Sequence, residues 1–206
     1  MTHKPLLIAA ALAVLAGAAP AQRLAGPDSK ATPPAPVALD TTGLFQAKYA
    51  KVGDDVFIGG QPTERALREL KAQGVTTVVN LRTPEEMTRS VKFDEPALVK
   101  ELGMTYVFIP MRGTAEYPYA PAAVKTFADA MAGSSGKVLL HCTIAWRASH
   151  MWAAYLIQYR GVPAATAVAQ TRLVNLMDEM RMDGDRQPLE DLLGRVVPEM
   201  GHPKRP

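Results

Sequence analysis

One cysteine, Cys142, occurs in the 206 residues, inside the run Lys137-Val-Leu-Leu-His141-Cys142-Thr143-Ile144-Ala145-Trp146-Arg147-Ala148-Ser149-His150. A thiol there is a candidate nucleophile, because convergent N–H dipoles and nearby positive charge hold a cysteine toward its thiolate form. Arg147 offers a planar fork that matches two oxygens of a phosphoryl group. Ser149 adds a hydroxyl two positions past that arginine. A single cysteine also rules out an internal disulfide, so the fold must rest on its core.

These residues need a frame. Val138 to Leu140 is an apolar run suited to a strand buried on both faces. From Met151 onward, Trp152, Tyr155, Leu156 and Tyr159 follow at helical spacing. Cys142 therefore belongs to a strand-to-helix turn, where amides and a helix N-terminus form an anion cradle. Upstream, Val56-Phe57-Ile58 reads as a strand closed by Gly59-Gly60. Thr63 caps a helix that carries Ala66, Leu67 and Leu70 inward and ends at Gly74. Val75 to Leu81 and Thr105 to Ile109 read as further buried strands, with a short helix from Pro96 to Leu102 between them. Pro121 opens another helix. Past Tyr159 a helical stripe includes Ala165, Val168, Ala169 and Leu173, and a last helix lies near Leu189 to Val197. This alternation predicts an α/β fold with a small, largely parallel sheet of about four strands flanked by helices. Right-handed crossovers place the cradle at the carboxyl edge of that sheet.

The cysteine run resembles the active-site loop of the cysteine-dependent protein tyrosine and dual-specificity phosphatases, whose pattern is His-Cys, five residues, Arg, then Ser or Thr. Here Thr143, Ile144, Ala145 and Trp146 alone separate Cys142 from Arg147. The shorter spacing is similar to a bacterial branch related to the phosphatase-like domain of β-lactamase hydrolase-like proteins. Gly60-Gln61-Pro62-Thr63 and Val79-Asn80-Leu81-Arg82 also look like that family, so the resemblance runs from about Phe45 to Ile157. It implies a phosphatase-like fold and hydrolysis of phosphomonoesters, protein phosphotyrosine among them, through a phosphocysteine on Cys142, with no cofactor. It implies that Arg147 and the loop from Thr143 to Ala148 hold the phosphoryl oxygens, and that His141 orders the loop.

Several departures from the pattern leave expectations open. Ala145 stands where a glycine is expected, bulky Trp146 follows it, and Ser149 lies two places past Arg147. The loop Met111 to Tyr119 lacks the family's aspartate acid. Glu116 is its only carboxylate, a candidate general acid or simply a solvated side chain. Tyr117 and Tyr119 either shape the pocket mouth or cover the core. Arg112 and Arg82 are candidates for added positive charge at the substrate, and Arg82 with Glu86 reads equally as ligand contact or surface ion pair. The same residues also fit two alternative functions: a sulfurtransferase or persulfide carrier on the same cysteine, and a catalytically impaired phosphate- or sulfate-binding module.

Residues 1–21 read as a signal peptide, with Lys4, an apolar middle from Leu6 to Ala18 and the small-residue site Ala19-Pro20-Ala21. Residues 22–44 form a Pro/Ala-rich linker, 45–198 the phosphatase-like domain, and 199–206 a polar tail. The expected location is outside the cytoplasm, in a bacterial periplasm, without stable membrane insertion after signal cleavage. The expected partner is a phosphorylated protein or small molecule, or another oxyanion. Net charge is +3 with the basic residues scattered, which argues against nucleic acid. The four histidines form no metal-ligand spacing.

Overall fold

The computed structural model describes residues 32–177 and 188–200. One six-stranded sheet runs in the order β1-β2-β3-β6-β4-β5, formed by Val37–Ala38, Tyr49–Val52, Val56–Gly59, Lys137–His141, Val75–Asn80 and Thr105–Phe108 respectively. The four strands β3, β6, β4 and β5 are parallel, and β1 and β2 add antiparallel pairs at one edge.

Side chains alternate across this sheet with the two-residue strand period. Ile58, Val79, Val138 and Leu140 join the core shared with Trp152, Leu156 and Phe127. Phe57, Val78 and Leu139 join a second core with Leu67, Leu70 and Val99. Helices α1 (Glu64–Ala72) and α3 (Glu95–Glu101) thus cover one face, and α4 (Pro121–Gly133) and α5 (Trp146–Tyr159) cover the other. Helix α5 is buried continuously from Trp146 to Leu156. It packs between the sheet and α4, α6 (Ala164–Arg172) and α7 (Pro188–Leu193).

The α/β class stands, with differences in detail. The sheet has six strands rather than about four, because Gly53-Asp54-Asp55 turns β2 into β3 as a hairpin too short for periodicity to reveal. The Pro-rich stretch is not wholly a free linker: β1 pairs with β2, Pro33 and Pro36 are buried, and Gln170 Nε2 donates to the Pro33 carbonyl (3.0 Å). β5 is an edge strand with Phe108 exposed, not a strand buried on both faces. Helix α2 (Pro84–Ser90) was unforeseen; Thr83 and Glu86 close a reciprocal capping box at its start. Helix α5 begins at Trp146, ahead of its apolar stripe. On α6 the inward residues are Ala167, Val168 and Thr171, while Ala165, Ala169 and Leu173 face outward. The last helix, α7, stops at Leu193, and a 3-10 turn covers Pro198–Met200. The stretch 1–21, read above as a signal peptide, and most of the polar tail lie outside the described residues. Among the described residues no helix is long and apolar enough to cross a membrane.

Candidate active site

Register sets the site. Gly59 and Asn80 both pair with His141, and Phe108 pairs with Asn80, so four parallel strands end in one row. The residues just beyond that row are Gly60-Gln61, Cys142, Leu81-Arg82 and Ile109. Gly60 is required there. A Cβ on it would lie 1.7 Å from the Gln46 carbonyl oxygen and 2.8 Å from that of Thr143. The Gln61 N–H donates to the Thr143 carbonyl (3.0 Å), tying the Gly-Gln-Pro-Thr stretch to the cradle.

Cys142 is 1% exposed at the base of the turn. Ala145 takes the left-handed conformation (φ 67°, ψ −1°) that a glycine adopts without strain, and the turn thereby enters α5. The N–H groups of Trp146, Arg147 and Ala148 form the first turn of α5, where geometry provides no intrahelical acceptor. They supply the positive end of the helix dipole beside the thiol.

The Arg147 guanidinium is held on several sides. Nη1 and Nη2 donate to the two Glu86 carboxylate oxygens (2.7 and 2.9 Å) in a bidentate pair. Nη1 also donates to the carbonyls of Leu81 (3.1 Å) and Met111 (2.9 Å), and Nη2 to Thr143 Oγ1 (3.0 Å). Burial disfavours the Arg147 charge, but the bond to Glu86 together with the neighbouring Cys142, Glu86 and Tyr119 groups outweighs this and holds the guanidinium above its ordinary value. Burial likewise pushes the Glu86 carboxyl up, while its bonds to Arg147 and the Thr83 N–H bring it net below the ordinary carboxylate range.

A second network lies beneath the cradle. His141 Nε2 meets Glu95 Oε1 at 3.0 Å with both side chains fully buried. Asn80 Nδ2 donates to the same oxygen (3.0 Å) and to the Tyr106 hydroxyl (2.8 Å), and Gln61 Nε2 donates to the other Glu95 oxygen. Burial opposes the Glu95 charge, yet His141 and these donors outweigh it and lower its carboxyl net. Arg82 joins this layer. It donates to Gln61 Oε1 (2.7 Å), the Glu86 carbonyl (3.1 Å) and the Ser90 hydroxyl, while its Nε is buried without a partner.

The structure brings His141, Cys142, Thr143, Ile144, Ala145, Trp146, Arg147 and Ala148 into the cradle, with Thr143 and Ile144 half-buried at its rim. Arg82 and Glu86 do not form a surface pair, since they are only 2% and 8% exposed. Glu86 grips Arg147, and Arg82 braces the floor. Arg112 is exposed at the mouth, 3.3 Å from Glu86 Oε1. Ser149 donates its hydroxyl to the Ala145 carbonyl (2.9 Å), so in this arrangement it is engaged with the helix backbone. Glu116 is exposed, with its carboxylate beside the Tyr117 hydroxyl. The loop folds tightly on itself, the Arg112 and Gly113 N–H groups both donating to the Tyr117 carbonyl. Tyr119 is buried, edge-on to Trp146 (6.5 Å, 80°). Glu95 was missed from the sequence, where an acidic residue before Pro96 signals a helix start and nothing more. Among the described residues no group of His, Cys, Asp and Glu is placed to hold a metal ion.

The chain shares 29% identity over 107 residues with the β-lactamase hydrolase-like protein of Xylella fastidiosa, an alignment covering 52% of this chain and 24% of that protein. It thus spans about a quarter of that relative's length. A DUF442 protein of Shewanella putrefaciens CN-32, described as a phosphatase, is 25% identical over 75% of this chain and 92% of its own, with a TM-score of 0.54. TpbA of P. aeruginosa shares the fold at 16% identity, covering 81% of this chain and 93% of its own, with a TM-score of 0.54. The family described as DSP-PTPase phosphatase fused to NAD+ kinase matches residues 42–187, which take in the strand ends, both carboxylates and the whole cradle. To that family of phosphatase domains this chain belongs.

Proposed function

We propose that the chain hydrolyses phosphomonoesters through a phosphocysteine intermediate. The observation that carries this reading is the Arg147 guanidinium, locked flat by Glu86 beside a thiol at the N-terminus of α5. In the first step the Cys142 thiolate attacks phosphorus, a P–S bond forms, and the P–O bond to the leaving group breaks. The Arg147 side chain and the first-turn amides stabilise charge on the equatorial oxygens, and an incoming oxygen takes the place of Thr143 Oγ1 on Nη2. In the second step water attacks phosphorus and the P–S bond breaks, releasing phosphate and the thiolate. Ser149 assists only after its hydroxyl leaves the Ala145 carbonyl.

Phosphorylated proteins and small phosphate esters both suit this chemistry. The chain is exported on the signal segment at 1–21, a reading supported by the sequence pattern and tested by protease protection in fractionated cells. The catalytic reading is tested with reduced protein and an aryl phosphate. Turnover should fall by at least about 10³-fold in Cys142→Ser and be blocked in the parent by vanadate. Gain of one sulfur on Cys142 from a persulfide donor, with no phosphate turnover, would support the sulfur-carrier alternative instead. Phosphate binding without either activity would support the binding module.

A further inference from the structure

We propose that the Tyr119 hydroxyl is the proton donor to the leaving group, the role left vacant by the missing loop aspartate. This inference deepens the phosphatase reading and rests on it.

Tyr119 closes the loop that begins at Met111, whose carbonyl accepts from Arg147. Its ring stands edge-on to Trp146, the first residue of α5, in the same core that buries Cys142, Ala145 and Ala148. The charged groups that act on its phenol are those of the cradle: Arg147, Cys142, Glu86 and Arg112. Among the described residues no hydrogen bond engages its hydroxyl, whereas the neighbouring Tyr117 hydroxyl reaches toward Glu85 (3.5 Å). The loop's carboxylate, Glu116, is exposed and turned to Tyr117. Tyr119 is therefore the proton-bearing side chain of this loop that shares the cradle's packing. Burial raises its phenol above the ordinary value and keeps it protonated.

The proton balance closes. As the P–O bond breaks, the leaving alkoxide takes the Tyr119 proton and departs as the alcohol. The tyrosinate left behind lies in the field of Arg147 and Arg112. In the second step the attacking water gives its proton to that tyrosinate as the P–S bond breaks, which restores the phenol and the thiolate.

Such a donor matters in proportion to the basicity of the leaving group. Tyr119→Phe keeps the ring that packs on Trp146 and removes only the hydroxyl. Its kcat/KM should fall by about 10²-fold on an alkyl phosphate and less than about threefold on p-nitrophenyl phosphate, whose leaving group needs no proton. Equal losses on both substrates, or none on either, would overturn the proposal while leaving Cys142 chemistry intact. The same selective loss in Glu116→Gln, with Tyr119→Phe indifferent, would also overturn it. Absence of turnover in the parent on both substrates would overturn the phosphatase reading and this inference together.

Discussion

Two buried carboxylates hold this site, and they do different work. At the mouth, Glu86 takes both terminal nitrogens of Arg147, and each side chain retains some exposure (11% and 9%). Beneath the cradle, Glu95 meets His141 with no exposure at all. The mouth pair fixes the plane of a group that stays partly open to solvent. The floor pair spends its donors on itself: His141, Asn80 and Gln61 all point at Glu95. The contrast separates a carboxylate that orients the Arg147 guanidinium at the mouth from one that braces His141, the residue before the thiol.

Glu86→Ala should give the largest effect. It strands the Arg147 guanidinium, and breaking a buried pair from one side costs about 3–5 kcal/mol. Urea unfolding measures the stability loss, and turnover should fall by roughly 10²-fold or more as the arginine loses its plane. Glu95→Gln should cost less, about 1–3 kcal/mol, because the amide still accepts through one atom while its NH₂ faces existing donors. The comparison sharpens on vanadate affinity: it should collapse in Glu86→Ala and persist within a few-fold in Glu95→Gln. Equal loss in both variants would merge the two roles into one.

Acid sharpens the contrast further. Both carboxyls lie below their ordinary value in the folded protein. A carboxyl depressed by folding adds stability that is complete above its unfolded value and is lost as pH falls through the folded one. Stability should therefore be flat with respect to these groups near neutrality and decline once the pH falls below the ordinary glutamate range. Glu95→Gln removes its share of that decline, so a pH series of urea midpoints should be shallower below that range in the variant than in the parent. A slope as steep as the parent's would assign the acid sensitivity elsewhere.

Which parts of this were legible in the sequence follows from the range of the interactions. The strand-to-helix turn and the cap at Thr63 rest on local patterns that Val138–Leu140 and Thr63 announce. The alternation of strands with helices announces a largely parallel sheet, whereas the strand order β3-β6-β4-β5 comes from long-range pairing. Gly60 stood out as part of a motif, but its reason is a carbonyl from Gln46 that only the assembled hairpin brings close. In the sequence Glu86 reads as a partner of Arg82, its neighbour at the strand end. Its actual partner, Arg147, is 61 positions away, and no local pattern encodes that choice. Glu95 was invisible for the same reason, since His141 is 46 positions away. Helix α5 was placed late because its first residues, Trp146 to His150, are buried on every side and show no amphipathic stripe.

The smallest expected effect concerns Ala145, the hinge between the thiol and the arginine. Ala145 and Ala47 share φ 67°, the two non-glycine residues with positive φ among those described. The left-handed conformation costs an L-residue about 1–2 kcal/mol, and glycine removes that cost while adding about 0.5–1 kcal/mol of chain entropy to overcome. For exposed Ala47 the sum favours glycine by roughly 0.5 kcal/mol. Ala145 is fully buried, so Ala145→Gly also gives up a packed methyl worth about 0.8 kcal/mol. That brings its net change close to zero. Ala47→Gly should therefore raise the urea midpoint slightly with turnover unchanged, whereas Ala145→Gly should leave the midpoint near the parent's and alter turnover. A stability gain at Ala145 as large as that at Ala47 would mean that its methyl packs against nothing of value, and that the alanine brings strain to the cradle without compensation.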